Sequence, residues 1–403
     1  MCVKGKCVKL HGILFLYSSA IESDKGGVQC VTRELADFFE DNGIKCYYLS
    51  LHKSDTSFQD SRQYYLPDSY RFNTNNNIDF LVNFVNEYKV DVLINQGGIS
   101  RDCSEFAYKV RGCNVKIISC IHNSLLDSIR NFHAFNYAKF KQKHLHHFLK
   151  ITKVPVIQKI LLLCYKFKYQ KHYKALLNNS ERVVLLSEAF KVDFAFFVDE
   201  QSSKVISISN PVPSRFNKTE YHDTKKSKTV LYVGRIDNLH KRVDLLLQIW
   251  SYIEDKHIDW NLKIVGGGPD LEKMKSYAEE LNLKNISFEG FQDPIPYYRD
   301  ASIFCMTSSN EGFGIVLVEA MKLGCVPIAF DSYPAVRDII ETQKNGLLVS
   351  PFDVKEYSLL LSLLMENPDL RLSLSEEGCK KAEEFSIQSI GKQWLKILDD
   401  VCV

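Results

Sequence analysis

Thr307-Ser308-Ser309-Asn310-Glu311-Gly312-Phe313-Gly314-Ile315-Val316-Leu317-Val318-Glu319-Ala320-Met321 is the stretch on which the reading of this chain turns. It follows Ser302-Ile303-Phe304-Cys305-Met306, an apolar run that predicts a strand buried on both faces. It then opens a helix apolar nearly all round, through Ile315, Val316, Leu317, Val318, Ala320, Met321 and Leu323. Gly324 is placed to cap that helix, and Val326 to Phe330 predicts the next buried strand. A helix of this composition packs inside the protein, so the lone carboxylate of Glu319 is costly unless something pairs with it. Gly312 and Gly314 let backbone approach a ligand closely, and the helix start offers N–H groups to an anion. Strand, glycine-bearing loop, helix N-terminus and two glutamates, Glu311 and Glu319, suit a nucleotide diphosphate.

The chain has 403 residues, too many for one core and enough for two domains. Hydrophobic content of 45% and charged content of 25% are those of a globular protein, and a net charge of +2 argues against a wholesale nucleic-acid binder. Twelve cysteines lie scattered without C-x-x-C pairs, which favours a reducing cytoplasm over a disulfide scaffold. Lys4, Lys6 and Lys9 before Ile13-Leu14-Phe15-Leu16-Tyr17 faintly imitate a signal peptide, but the apolar run is too short, and a strand explains it better. No run approaches the roughly 20 apolar residues that span a bilayer.

Working outward, strands are expected at 13–17, 46–51, 90–94, 115–121, 183–186 and 205–209, with a helix opening at Gly26-Gly27 and ending at Asn42-Gly43, and another at 78–88. Asn210-Pro211-Val212-Pro213 and a polar stretch to Lys228 break the pattern. The alternation restarts with strands at 229–233, 260–265 and 286–289 and helices at 242–253 and up to about 281, and Ser386 is placed to cap a last helix. This predicts an α/β protein of two doubly wound parallel-sheet domains. The first covers 1–209, the second 210–385, and a last helix 386–403.

Residues 128–180 carry Arg130, ten lysines and five histidines with no Asp or Glu. A solvated face normally mixes both signs. The segment therefore reads as a basic surface for anionic lipid headgroups, with a plain solvated helical pair as the alternative and nucleic acid a weaker one.

Val233-Gly234-Arg235-Ile236-Asp237 and Lys241 set two cations at one strand–helix junction, where open α/β sheets bind ligands. A surface ion pair is the plainer alternative. Gly266-Gly267-Gly268 follows another strand end, but the dinucleotide fingerprint G-x-G-x-x-G is absent, and a tight turn explains it equally well. His122 ends a strand of the first half and could be an ordinary loop residue. The sequence contains no Asp-x-Asp, so no metal-binding carboxylate pair is evident and cationic side chains must neutralise a diphosphate.

Together Gly26-Gly27, Gly234-Arg235, Lys241, Gly266-x-Gly268, Glu311-Gly312-Phe313-Gly314 and Glu319-Ala320-Met321 resemble the GT-B-fold retaining glycosyltransferases of family 4. The resemblance spans nearly the whole chain and is most specific from Glu311 to Pro327. It implies two Rossmann-like domains facing across a cleft, with 1–209 binding the acceptor, 210–385 binding the nucleotide sugar and the helix of 386–403 crossing back to the first, and transfer of a hexose or N-acetylhexosamine from a UDP-linked donor without a cofactor or metal. Arg235 and Lys241 would bind the diphosphate, and Glu311 the transferred sugar. Gly312, Phe313, Gly314 and Ile315 would present amides, and Glu319 would hold the ribose. Gly26, Gly27, Gly234, Gly266 and Gly268 would line the donor site, with His122 near the sugar. The acceptor would be a glycan or lipid-linked glycan at the inner membrane face. Asp331-Ser332-Tyr333-Pro334 and Asn123 depart from the family pattern. The alternatives are a sugar-nucleotide epimerase of the same fold and a non-catalytic glycan-binding relative.

Overall fold

The structure, a computed structural model, describes residues 10–22, 26–53, 59–130, 132, 151–152, 154–216 and 226–402. The chain divides into two compact units, Met1–Asn123 with Tyr165–Pro213 and Ser386–Val403, and Ser124–Cys164 with Ser214–Phe385.

The first unit is built on a parallel sheet of β1 (Gly12–Ser19), β2 (Lys45–His52), β3 (Gln63–Tyr65), β4 (Val92–Asn95), β5 (Lys116–Ile121), β6 (Arg182–Leu185) and β7 (Val205–Ser207), in the order β3-β2-β1-β4-β5-β6-β7. The winding direction reverses between β1 and β4. Its described helices include α1 (Gly27–Asp41), α2 (Asn75–Glu87) and α3 (Arg101–Ala107); α4 (Asp127–Arg130) falls in the second unit, α5 (Pro155–Asn179) is divided between the units at Tyr165, and α6 (Ala189–Val198) belongs to the first. Alternation along β1 feeds two cores. Ile13 and Phe15 pack with Leu35 and Phe39 of α1, while Leu14 and Leu16 pack with Leu81, Phe84 and Phe106 on the other face. Burial on both faces is why the strand reads as an unbroken apolar run. Gly43, at φ 81°, ends α1 in the left-handed turn that glycine adopts at least cost.

The second unit carries β8 (Ser227–Val233), β9 (Asn261–Val265), β10 (Ile286–Gly290), β11 (Ala301–Met306), β12 (Val326–Phe330) and β13 (Leu347–Val349), all parallel, in the order β10-β9-β8-β11-β12-β13. Its helices are α7 (Val243–Ser251), α8 (Leu271–Glu280), α9 (Ile295–Asp300), α10 (Ile315–Lys322), α11 (Val336–Ile339), α12 (Val354–Glu366) and α13 (Pro368–Ala382). Every residue of β11 is buried. Gly324, at φ 74°, closes α10, with the Cys325 N–H reaching the Ala320 carbonyl at 2.8 Å. The last helix, α14 (Ile387–Cys402), belongs to the first unit, where Ile390, Trp394 and Leu398 share the core of Phe15 and Leu35. Ser386 Oγ caps it by accepting from the Ser389 N–H at 3.3 Å.

Two local points differ from the sequence expectation. The strands β3 and β13, of three residues each, had no period to announce them. The helix expected from Arg242 begins at Val243, because Arg242 adopts φ 49° and ψ 47° in the left-handed region. Of the basic segment, 131, 133–150 and 153 lie outside the described residues, including Lys139, Lys141, Lys143 and Lys150. Among the described residues no helix is long and apolar enough to cross a membrane.

Candidate active site at the switch point of the second sheet

Strands β8 and β11 are neighbours, and the winding reverses between them. Open α/β sheets bind ligands beyond the carboxyl ends of such a pair. Val233 passes directly into Gly234-Arg235, and Met306 into Thr307-Ser308-Ser309. The two loops are stitched together. Thr307 Oγ1 donates to the carbonyls of Lys241 and Arg242 at 3.1 and 3.0 Å. The Ser309 N–H donates to the His240 carbonyl at 2.7 Å, and Ser309 Oγ to that of Leu239 at 3.0 Å. These bonds, with the two-pronged Arg242–Asp244 pair at 2.9 and 3.0 Å, hold Arg242 in its left-handed turn. The strain places Lys241 just before α7 and turns it toward the loop after β11.

There Lys241 Nζ donates to Glu311 Oε1 at 2.5 Å, and Ser308 Oγ donates to the same oxygen at 2.7 Å. The pair is largely covered, with side-chain exposures of 25% and 12%. An ammonium carries three protons, so Lys241 keeps donors for a second anion while held by Glu311. Arg235 bonds to Asp237, whose carboxylate also meets His240 Nδ1 at 3.0 Å. Burial pushes the Asp237 carboxyl upward, but the hydrogen bonds from Arg235 and His240 outweigh it and hold it below its ordinary value. Arg235 itself is 66% exposed, so its guanidinium stays available at the rim.

The glycines divide into two classes. A Cβ on Gly266, at φ 142°, would lie 1.9 Å from the Gly234 carbonyl oxygen, and one on Gly268 would lie 2.3 Å from that of Ile236. These two are required because the loop after β9 runs against the loop after β8, with the Ile236 N–H on the Gly267 carbonyl at 2.9 Å. Their smallness is used by the fold. Gly234 also belongs to this contact. Gly314, at φ 90°, starts α10, and a Cβ there would meet Tyr333 Oη at 2.3 Å. Gly312 is half-buried before it. Phe313 turns its ring inward against Phe385, centroids 5.5 Å apart, which leaves backbone rather than side chain at the helix start leading into Ile315.

Glu319 is buried on α10, and Tyr298 Oη of α9 donates to its Oε2 at 3.2 Å. Burial raises its carboxyl to about 7, against the lowering influences of Arg215 and the Tyr298 hydrogen bond. Sequence reasoning asked for a partner but could not name Tyr298 or Arg215, which lie far away in the chain. Asp331, where the family pattern is broken, is taken by Arg337 in a two-pronged pair of 2.9 and 2.5 Å.

His122, Gly26 and Gly27 belong to the first unit. His122 directly follows β5. Gly26 precedes α1, where an added Cβ would first meet the flexible Gln29 amide, while a Cβ on Gly27 would meet nothing within 4 Å. The fold therefore does not demand glycine at either position. Among the described residues no group of three or more His, Cys, Asp or Glu side chains is placed to hold a metal ion.

Residues 214–381 match the family model described as glycosyl transferases group 1. The matched residues lie within the second unit. An uncharacterized glycosyltransferase of Haemophilus influenzae is 33% identical over 224 residues, covering 54% of this chain and 61% of the relative. The Campylobacter jejuni GalNAc-alpha-(1->4)-GalNAc-alpha-(1->3)-diNAcBac-PP-undecaprenol alpha-1,4-N-acetyl-D-galactosaminyltransferase is 27% identical, covering 44% of this chain and 49% of the relative. The chain thus spans less than two thirds of the length of these relatives. The structure of Anabaena Alr3699/HepE in complex with UDP matches 96% of this chain and 100% of its own, with a TM-score of 0.73 at 15% identity. That likeness shows the fold, two Rossmann-like domains of the GT-B class.

Proposed function

We propose that the chain is a glycosyltransferase that moves a hexose or N-acetylhexosamine from a nucleotide sugar to a hydroxyl of a glycan or lipid-linked acceptor. The observation that carries this reading is the Lys241–Glu311 pair, stitched to the end of β8 at the switch point of a group 1 domain. A UDP-linked donor is supported by the Anabaena neighbour, which is in complex with UDP. A lipid-linked acceptor in surface-polysaccharide assembly is supported by the Campylobacter relative, whose name contains an undecaprenol diphosphate.

In this reading the diphosphate lies against Arg235, the spare protons of Lys241 and the amides at the start of α10. Glu311 orients the sugar through its hydroxyls, and Glu319 accepts from the ribose hydroxyls. The acceptor oxygen forms a bond to the anomeric carbon as the bond from that carbon to the phosphate oxygen breaks. The acceptor's proton passes to the departing phosphate oxygen, whose charge Arg235 and Lys241 stabilise, so no external base, cofactor or metal is invoked. Attack from the face the diphosphate leaves retains the anomeric configuration. The first unit binds the acceptor, with Gly26 and Gly27 open to close approach and His122 at the sugar.

Product analysis tests this. Incubation with UDP-, GDP- and ADP-sugars and a polyprenol-linked glycan should release one nucleoside diphosphate and extend the acceptor by one sugar with retained configuration, read by mass spectrometry and NMR. A rearranged free nucleotide sugar would mark the epimerase, and no turnover with any donor the non-catalytic relative.

We also place the protein at the inner face of the cytoplasmic membrane. The exposed face of α5 runs Val156, Lys159, Ile160, Leu163, Phe167, Lys168, Lys171 and Lys174, apolar in its first half and basic in its second. Such a surface can seat apolar side chains among lipid and lysines on anionic headgroups. Flotation with phosphatidylglycerol vesicles should capture the protein at low salt and release it as salt rises. Equal recovery with neutral vesicles would overturn the placement.

A further inference from the structure

The first unit holds a polar cavity of about 250 Å³ that shares no residue with the proposed donor or acceptor groups. The order β4-β5-β6-β7 sets the amino ends of β5, β6 and β7 side by side, and the cavity lies among them. Open α/β sheets bind their usual ligands beyond the opposite, carboxyl ends. Arg111 lies in the turn before β5, and Lys116 opens that strand. Asn179 closes α5, Ser180 and Glu181 lead from it into β6, and Lys204 directly precedes β7. All six line the cavity.

Three cations and one carboxylate thus share one concave surface, and none of the three forms an ion pair among the described residues. The plain reading is that they serve the carbonyl end of α5. Lys204 Nζ donates to the Ser180 carbonyl at 3.0 Å, and Arg111 Nη1 to Asn179 Oδ1 at 2.6 Å. Each spends a single donor in this way and keeps the others. The wall behind them is firmly built. Asn179 Nδ2 donates to the Ala175 carbonyl at 2.7 Å, the Val183 N–H to that of Lys204 at 2.9 Å, and the Glu181 N–H to that of Ile117 at 2.8 Å. Ser180 is buried, with its Oγ 2.9 Å from Ser119 Oγ inside the sheet. A concave wall carrying an excess of one sign focuses the field and concentrates counter-ions.

We propose that this cavity is a second ligand site, which binds a phosphate group between Arg111, Lys116 and Lys204, as inorganic phosphate or as a small phosphate monoester. A guanidinium meets two phosphate oxygens at once, and the lysines supply compact charge. The volume falls below the roughly 300–1,000 Å³ that encloses drug-sized ligands, so it suits a phosphate with a short organic tail rather than a nucleotide sugar. Glu181 opposes the anion, but its side chain is exposed and solvent weakens its charge. The donor site proposed above lies in the second unit, so this inference does not depend on the glycosyltransferase reading.

Calorimetric titration of inorganic phosphate into the full chain at low salt tests this. Phosphate also suits the proposed donor site, so Lys241→Ala is titrated beside the wild type. Binding should survive Lys241→Ala and weaken about 10-fold or more in Arg111→Gln and in Lys204→Gln, the scale of one charge-assisted contact. Glu181→Gln removes the one carboxylate and should tighten binding about 3-fold, the scale of one exposed charge. A purely structural role for these side chains would not produce the two opposite signs. Arg111 and Glu181 are exposed, so their variants should melt as wild type and carry the test even where Lys204→Gln, lacking its bond to Ser180, does not fold. Displacement of phosphate by glycerol 3-phosphate assigns a soluble ester; displacement by phosphatidic acid vesicles alone assigns a lipid headgroup. A wild type that binds no phosphate, or binding that is lost in Lys241→Ala and unchanged in Arg111→Gln, would overturn the proposal. Phosphate held in this cavity by a chain that binds no nucleotide would overturn the functional reading and leave the second site intact.

Discussion

Lys241→Ala and Glu311→Ala should each lower turnover by about 100-fold or more, the scale on which preorganised electrostatic contacts act. The two side chains meet at 2.5 Å, and Lys241 is carried on a strained turn that Thr307 and Ser309 hold in place. In the proposed reaction the ammonium faces developing negative charge on the leaving phosphate, so its removal costs more in the transition state than in the ground state. Glu311→Ala removes the group that orients the sugar and frees Lys241 from its tether. Melting should change little in both cases, because the stitching runs through main-chain carbonyls and Thr307 rather than through this pair. Steady-state kinetics beside calorimetric melting checks the claim. A variant that keeps wild-type turnover, or loses activity only by unfolding, contradicts the roles assigned.

Gly266→Ala should lower stability by about 3 kcal/mol or more, in the class of severe overpacking. The added methyl would stand 1.9 Å from a main-chain carbonyl oxygen at a φ of 142°, and neither neighbour is a flexible tip that can swing away. For a unit of this size such a loss corresponds to a fall in Tm of about 6–12 °C. Gly27→Ala supplies the contrast, since a Cβ there meets nothing within 4 Å and the fold should tolerate it. A Gly266→Ala protein that melts with wild type would show that the loops after β8 and β9 do not pack as described.

The contrast bears on what could be read beforehand. Apolar runs such as Ile13 to Tyr17 and Ser302 to Met306 announced the strands because each is buried on both faces. The same logic missed β3 and β13, whose three residues hold no period. Glu319 could be singled out as an awkward carboxylate on an apolar helix, but its partner Tyr298 comes from a helix 21 positions earlier. Gly266 and Gly268 looked like ligand-lining glycines. Their smallness serves another loop, a distinction only three-dimensional neighbours can make. Arg242 looked like the first residue of a helix, since its left-handed turn depends on bonds from Thr307. Gln96 gave no signal, because a glutamine directly after a strand is unremarkable until its Oε1 is found 2.6 Å from His122 Nε2.

The central claim is that the switch point of the second sheet binds a nucleoside diphosphate through Lys241. Calorimetric titration of UDP, GDP and ADP into the wild-type chain and Lys241→Ala tests it most directly. One nucleotide should bind the wild type, and Lys241→Ala should weaken that affinity about 10-fold or more, as loss of a charge-assisted contact predicts. If no nucleotide binds, or if the bound one is held equally well without Lys241, the site is not where this account puts it.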